Sequence, residues 1–127
     1  MKKRKKVKTK IKKTKVKIKK RKKTVMVSGG FDPLHIGHVR YIQEAKKLGD
    51  RLVVVLNNDN WFKVKGKPVF MSDKERKEII EALKCVDEVV ISSHSADTND
   101  ISVCQEILKI RPDIFANGGD RFADNIP

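Results

Sequence analysis

The chain has 127 residues, with 30 lysines and arginines against 16 aspartates and glutamates. The basic excess is confined to one end: residues 2–23 hold 16 of the basic side chains and no acid, leaving 14 basic and 16 acidic residues after them. That excludes a uniformly basic nucleic-acid-binding domain, and without an apolar run near ~18 residues no membrane span is expected, so the expected location is cytoplasmic.

Residues 1–23, MKKRKKVKTKIKKTKVKIKKRKK, repel one another and carry too few apolar groups to offset the entropy of ordering them. They are expected to form a disordered tail, with weak, salt-sensitive nucleic-acid contact as its available function. Residues 24–127 form the second unit, long enough for one compact domain. Cys85 and Cys104 show no metal-ligand spacing and are expected to be buried thiols, and no protein-held metal is predicted.

Thr24–Ser28 is a β-branched run entering Gly29-Gly30, as a buried strand meeting a tight turn would be. From Gly37 to Leu48, Val39, Ile42, Ala45 and Leu48 recur at three-residue steps, with Lys46 and Lys47 in the last turn and Gly49 placed to cap a helix. Arg51–Leu56 is apolar on both faces and reads as a central parallel strand. Asn57–Phe70 reads as a polar loop. Ser72-Asp73-Lys74-Glu75 has capping-box spacing and opens a helix through Ile79, Ile80 and Leu83.

A third strand is predicted over Glu88–Ile91, then a polar loop over Ser92–Asp100 in which His94 is expected at the surface. Ile101–Ile110 reads as a helix with Val103, Cys104, Ile107 and Leu108 inward, stopped by Arg111-Pro112. Asp113–Asn117 reads as a fourth strand closing on Gly118-Gly119. Alternating strands and helices predict an α/β domain with an open, Rossmann-like parallel sheet and helices on both faces. Ligands of such sheets sit beyond the carboxyl ends of the strands.

One strand end is richest in chemistry. Gly29-Gly30-Phe31-Asp32-Pro33-Leu34-His35-Ile36-Gly37-His38 joins the first strand to the first helix. Its peptide N–H groups and the positive helix end face the sheet's mouth, where a phosphate is stabilised. His35 and His38, three residues apart, place both imidazoles on one side of the first turn as hydrogen-bond donors. Attack of a phosphate oxygen on an α-phosphorus spreads charge over equatorial oxygens, and fixed donors of this kind stabilise it without a protein nucleophile.

The strand-GGFDPLHIGH-helix pattern resembles the HxGH nucleotidyltransferase superfamily, over Val25 to about Asp120. The likeness is to its cytidylyltransferase-like branch, which includes glycerol-3-phosphate cytidylyltransferase, heptose-phosphate adenylyltransferase and archaeal FAD synthetase. The fold implied is of the HUP type. The activity implied moves CMP or AMP from CTP or ATP onto a phosphorylated polyol, sugar or FMN-like acceptor, releasing pyrophosphate, with Mg2+ carried by the triphosphate. The resemblance assigns His35, His38 and Lys67 to catalysis. To the nucleotide it assigns Gly29, Gly30, Phe31, Gly37, Asn117, Gly118, Gly119 and Asp120 alongside those three. Lys65, Asp32, Asp59 and Arg76 fall to the acceptor, and a homodimer is implied.

Two departures stand out. Gly30 occupies a position where the family often has a threonine or serine, and the Ser/Thr-rich phosphate-binding segment that follows the fourth strand in the family has no counterpart before Pro127. A C-terminally truncated domain is therefore expected, and the competing function is a nucleotide-binding domain without turnover, tethered to nucleic acid by its tail. Gly118-Gly119-Asp120 leans toward the adenylyl-transferring branch and the Lys65/Lys67 loop toward the cytidylyl one, leaving both bases open. Trp61 and Phe62 are read as packing residues over the sheet rather than ligand-stacking rings.

Overall fold

The computed structural model describes residues 22–116. Eight elements follow in chain order: β1 (Thr24–Gly29), α1 (Ile36–Lys46), β2 (Arg51–Leu56), α2 (Asp59–Val64), α3 (Asp73–Glu81), β3 (Glu88–Ile91), α4 (Cys104–Ile110) and β4 (Ile114–Phe115). The strands form one parallel sheet in the order β3-β2-β1-β4, with Val25 paired to Leu52 on one side and to Ile114 on the other. The order reverses beside β1, so the crevice between the carboxyl ends of β1 and β4 is the switch point where such sheets take ligands. The expected Rossmann-like α/β fold is the one observed.

Parallel strands are covered on both faces, which explains their unbroken apolar runs. Val25, Met26 and Val27 of β1 and every residue of β2 from Leu52 to Leu56 are buried. Ile42 and Ala45 of α1 pack on them, with Ile80 of α3 and Val89 of β3 in the same core. Full burial of one such aliphatic side chain contributes roughly 1.5–3 kcal/mol, so this core is what fixes β1 and the loop that leaves it.

Several local expectations change. Asn57–Phe70 is not wholly loop: α2 forms there because Asn58, a good N-cap, accepts the Trp61 N–H through its side chain at 2.9 Å. Gly49 does not cap α1, which ends at Lys47 in a right-handed conformation. It is a close-approach glycine instead, since a Cβ there would lie 2.7 Å from Val25 Cγ2 and 2.8 Å from the Lys23 carbonyl. α4 starts at Cys104, because Asp100 Oδ1 accepts the Ser102 N–H and hydroxyl and holds the preceding residues in a turn.

The inward face of α4 is also rotated. Glu106 is buried, accepting the Ser93 N–H and hydroxyl, while Leu108 is 75% exposed and Cys104 is exposed. Cys85 is only half-buried, so neither thiol is the enclosed group expected. His94 is buried rather than superficial: one ring nitrogen contacts Ser92 Oγ and the other the Ser102 carbonyl, both at 2.8 Å. Among the described residues, no helix is long and apolar enough to cross a membrane.

Candidate active site

A cleft of about 440 Å3 opens at the carboxyl end of β1, lined by Ser28 to Phe31 and by His35, Gly37, His38 and Tyr41 at the start of α1. His35 is the N-cap of α1 rather than a residue of its first turn. Its Nδ1 accepts the Gly37 N–H at 3.0 Å, and His38 Nδ1 accepts the His35 N–H at 3.1 Å. The two rings stack, with centroids 3.8 Å apart. A backbone donor on each Nδ1 sets the tautomer: the ring proton of each neutral imidazole sits on Nε2, and neither Nε2 has a partner among the described residues.

Two parallel imidazoles thus present two N–H donors at a helix N-terminus, which suits an anion. Burial, and secondarily the neighbouring His35, lower the His38 pKa from its ordinary 6.5, which keeps it a neutral donor. A Cβ on Gly37 would lie 2.9 Å from His35 Cε1, so glycine there makes room for the stacked ring. The Phe31 ring is buried and meets His38 edge-on at 5.1 Å. Phe31 holds a left-handed φ of 51°, a conformation non-glycine residues rarely adopt and which concentrates at functional sites.

Gly29 and Gly30 are required by packing. A Cβ on Gly29 would sit 2.9 Å from the Phe31 ring, and one on Gly30 would sit 2.6 Å from Phe62 Cζ. Phe62 is buried, and Trp61 donates its indole N–H to the Ile101 carbonyl at 3.0 Å, so both rings pack against protein as read.

The residues expected to hold the acceptor divide. Lys65 and Lys67 are exposed on the loop after α2, with the Lys65 ammonium 5.3 Å from the centre of the Trp61 ring. The two carboxylate oxygens of Asp32 accept the Phe70 N–H at 2.6 Å and the Met71 N–H at 2.8 Å, fastening the lysine loop to the loop after β1. Arg76 is 1% exposed and donates to the carbonyls of Met71, Gly30 and Asn57 and to Asp59 Oδ1. Its guanidinium also lies 4.7 Å from the centre of the Phe62 ring. Arg76 and Asp59, both expected at the acceptor, thus tie β1, β2, α2 and α3 together. Asn117, Gly118, Gly119 and Asp120 lie outside the described residues.

Tyr41 is a site residue the sequence reading missed. Its hydroxyl donates to the Ala116 carbonyl at 2.7 Å across the switch point, and burial pushes its pKa up to about 12. The signal was available: Tyr41 lies three residues after His38, on the same side of α1. No group of three or more His, Cys, Asp or Glu side chains among the described residues could hold a metal ion.

A family model described as cytidylyltransferase-like matches residues 26–126. The chain is 44% identical over 102 residues to an FAD synthase of Ferroglobus placidus, covering 80% of this chain and 62% of that protein. It is 39% identical over 101 residues to an FAD synthase of Pyrococcus abyssi, covering 79% and 65%. The bifunctional protein HldE of Syntrophotalea carbinolica is 41% identical over 102 residues, 78% of this chain and 19% of its own length. Among solved structures, a lipopolysaccharide core biosynthesis protein from Thermoplasma volcanium superposes with a TM-score of 0.70 at 35% identity, over 82% of this chain and 81% of its own. The chain thus spans a little under two thirds of the length of the first two FAD synthases.

Proposed function

We propose that this chain, which belongs to the cytidylyltransferase-like family, transfers AMP from ATP to a phosphorylated acceptor, with FMN as the acceptor and FAD and pyrophosphate as the products. The observation that carries the reading is the stacked His35–His38 pair, whose Nδ1 atoms are tied to the backbone and whose Nε2–H donors are left for an anion. The preference for ATP and FMN over CTP and a polyol phosphate rests on the FAD synthases it resembles at 44% and 39% identity.

In this reading an oxygen of the acceptor phosphate attacks the α-phosphorus. A new P–O bond forms, the bond between the α-phosphorus and the α,β-bridging oxygen breaks, and pyrophosphate carries the electron pair away. His35 and His38 donate to phosphate oxygens as charge accumulates on them, a contribution that fixed donors make without reorganisation. The Phe31 N–H, which has no acceptor among the described residues, adds a third donor on the same loop. Lys65 and Lys67 supply charge to the acceptor phosphate and the triphosphate. Among the described residues the cleft lining carries no carboxylate, so Mg2+ would be held by triphosphate oxygens and water, where it would offset the charge of the leaving pyrophosphate.

Pyrophosphate release tests the assignment when ATP and CTP are each offered with FMN, glycerol 3-phosphate and a heptose 1-phosphate. Release with ATP and FMN alone is expected. Release only with a sugar or polyol phosphate would reassign the acceptor, and release with no pair would remove the activity.

A further inference from the structure

The loop after β1, which carries the histidines, and the loop after α2, which carries Lys65 and Lys67, are far apart in sequence yet fastened at two points. Asp32 holds one end of the lysine loop through the N–H groups of Phe70 and Met71. The other fastening runs through Phe62. Its carbonyl accepts the Lys67 N–H at 2.9 Å, and its ring fills the space a side chain at position 30 would need. Arg76 lies over the same ring, 4.7 Å from its centre, and also holds the Gly30 carbonyl at 2.8 Å. Gly30 is therefore confined by the ring at its Cα and by the guanidinium at its carbonyl, immediately before the left-handed backbone of Phe31.

We infer that Phe62 is a positioning residue that couples the phosphate loop to the lysine loop, so that the histidine donors and Lys67 keep one relative placement. This rests on the nucleotidyl-transfer reading above. A trans peptide sets its carbonyl and the following N–H in opposite directions, so fixing the Gly30 carbonyl on Arg76 turns the Phe31 N–H away from the buried guanidinium. Any displacement at Gly30 swings that donor. Because the same Phe62 carries the Lys67 N–H on its carbonyl, the displacement reaches the lysine loop as well.

The test is a double-mutant cycle of Gly30→Ala, Phe62→Leu and the pair together. A Cβ at position 30 must retreat from 2.6 Å to the ordinary contact range above 3.4 Å, a shift near 1 Å. Misplacement on that scale costs on the order of 100-fold in kcat. Gly30→Ala is expected to lose about that factor, with a raised KM for ATP because Lys67 is displaced too. Phe62→Leu removes the obstructing ring, so the double variant is expected to recover most of the kcat that Gly30→Ala loses.

A purely structural contact would lower the thermal midpoint and leave kcat and KM of the folded fraction unchanged, and that result overturns the inference. So does a double variant that loses the product of the two single losses. Amide hydrogen exchange at Lys67, whose N–H is bonded to the Phe62 carbonyl, reads the same cycle without turnover. Exchange there is expected to speed up in Gly30→Ala and to return toward the native rate in the double variant. Unchanged exchange at Lys67 would overturn the coupling even in a chain that transfers nothing, whereas coupled exchange without turnover would overturn only the activity.

Discussion

The two motif histidines are held by the backbone before any ligand arrives, and this gives His38 a pH signature. Burial and the neighbouring His35 put its folded-state pKa below 6.5. The unfolded chain therefore takes up this proton first as pH falls. His38 costs the fold nothing well above pH 6.5 and an increasing amount below it, until the lowered folded value is passed. The urea midpoint is expected to drop between about pH 7.5 and 5.5, and to drop less in His38→Gln, where that proton is no longer taken up. Equal drops in both proteins would contradict the assignment. In catalysis, His35→Ala and His38→Ala each remove one donor and are expected to lower kcat by roughly 100- to 1000-fold with an unchanged fold by circular dichroism.

At the level of elements, the clearest dependence is on Arg76. Replacing it with leucine leaves the buried Asn57 carbonyl and the Gly30 and Met71 carbonyls without their donor. One unsatisfied buried carbonyl alone costs about 1–3 kcal/mol, so a loss of about 3 kcal/mol or more in urea-unfolding free energy is expected. A loss under about 1 kcal/mol would show that water replaces the guanidinium there. Gly49→Ala is expected to cost roughly 1–3 kcal/mol by overpacking against Val25 and the Lys23 carbonyl, read by the same measurement.

These elements also show what the sequence made legible. β1, β2 and the Ser72-capped α3 follow from local periodicity and a cap, signals carried within a few residues. α2 was hidden because Asn57-Asn58-Asp59-Asn60 has the composition of a loop, although Asn58 is acting as an N-cap. The burial of Arg76 and Glu106 was hidden because amphipathic patterning assigns charged residues to solvent. Only the tertiary partners, the strand-end carbonyls for Arg76 and Ser93 for Glu106, show why those charges face inward. In the site, the motif identified the histidines, but their reciprocal Nδ1 bonds and the Gly30–Phe62 contact are three-dimensional facts.

For the molecule as a whole, charge and chemistry are segregated. The whole basic excess lies in residues 1–23, whereas the cleft belongs to the sheet. Removing residues 1–21 is expected to abolish salt-sensitive retention on a polyanion matrix and to leave nucleotide affinity unchanged. Retention that survives the deletion would place the polyanion-binding surface on the folded domain. Stacked histidines at a helix N-terminus could serve nucleotidyl or phosphoryl transfer, and isotopic labelling separates the two. With ATP labelled in its α-phosphate and FMN as acceptor, nucleotidyl transfer puts the label in FAD and none in pyrophosphate, and that is the expected result. Label reaching the flavin product only from γ-labelled ATP, or no labelled product from either, would contradict it.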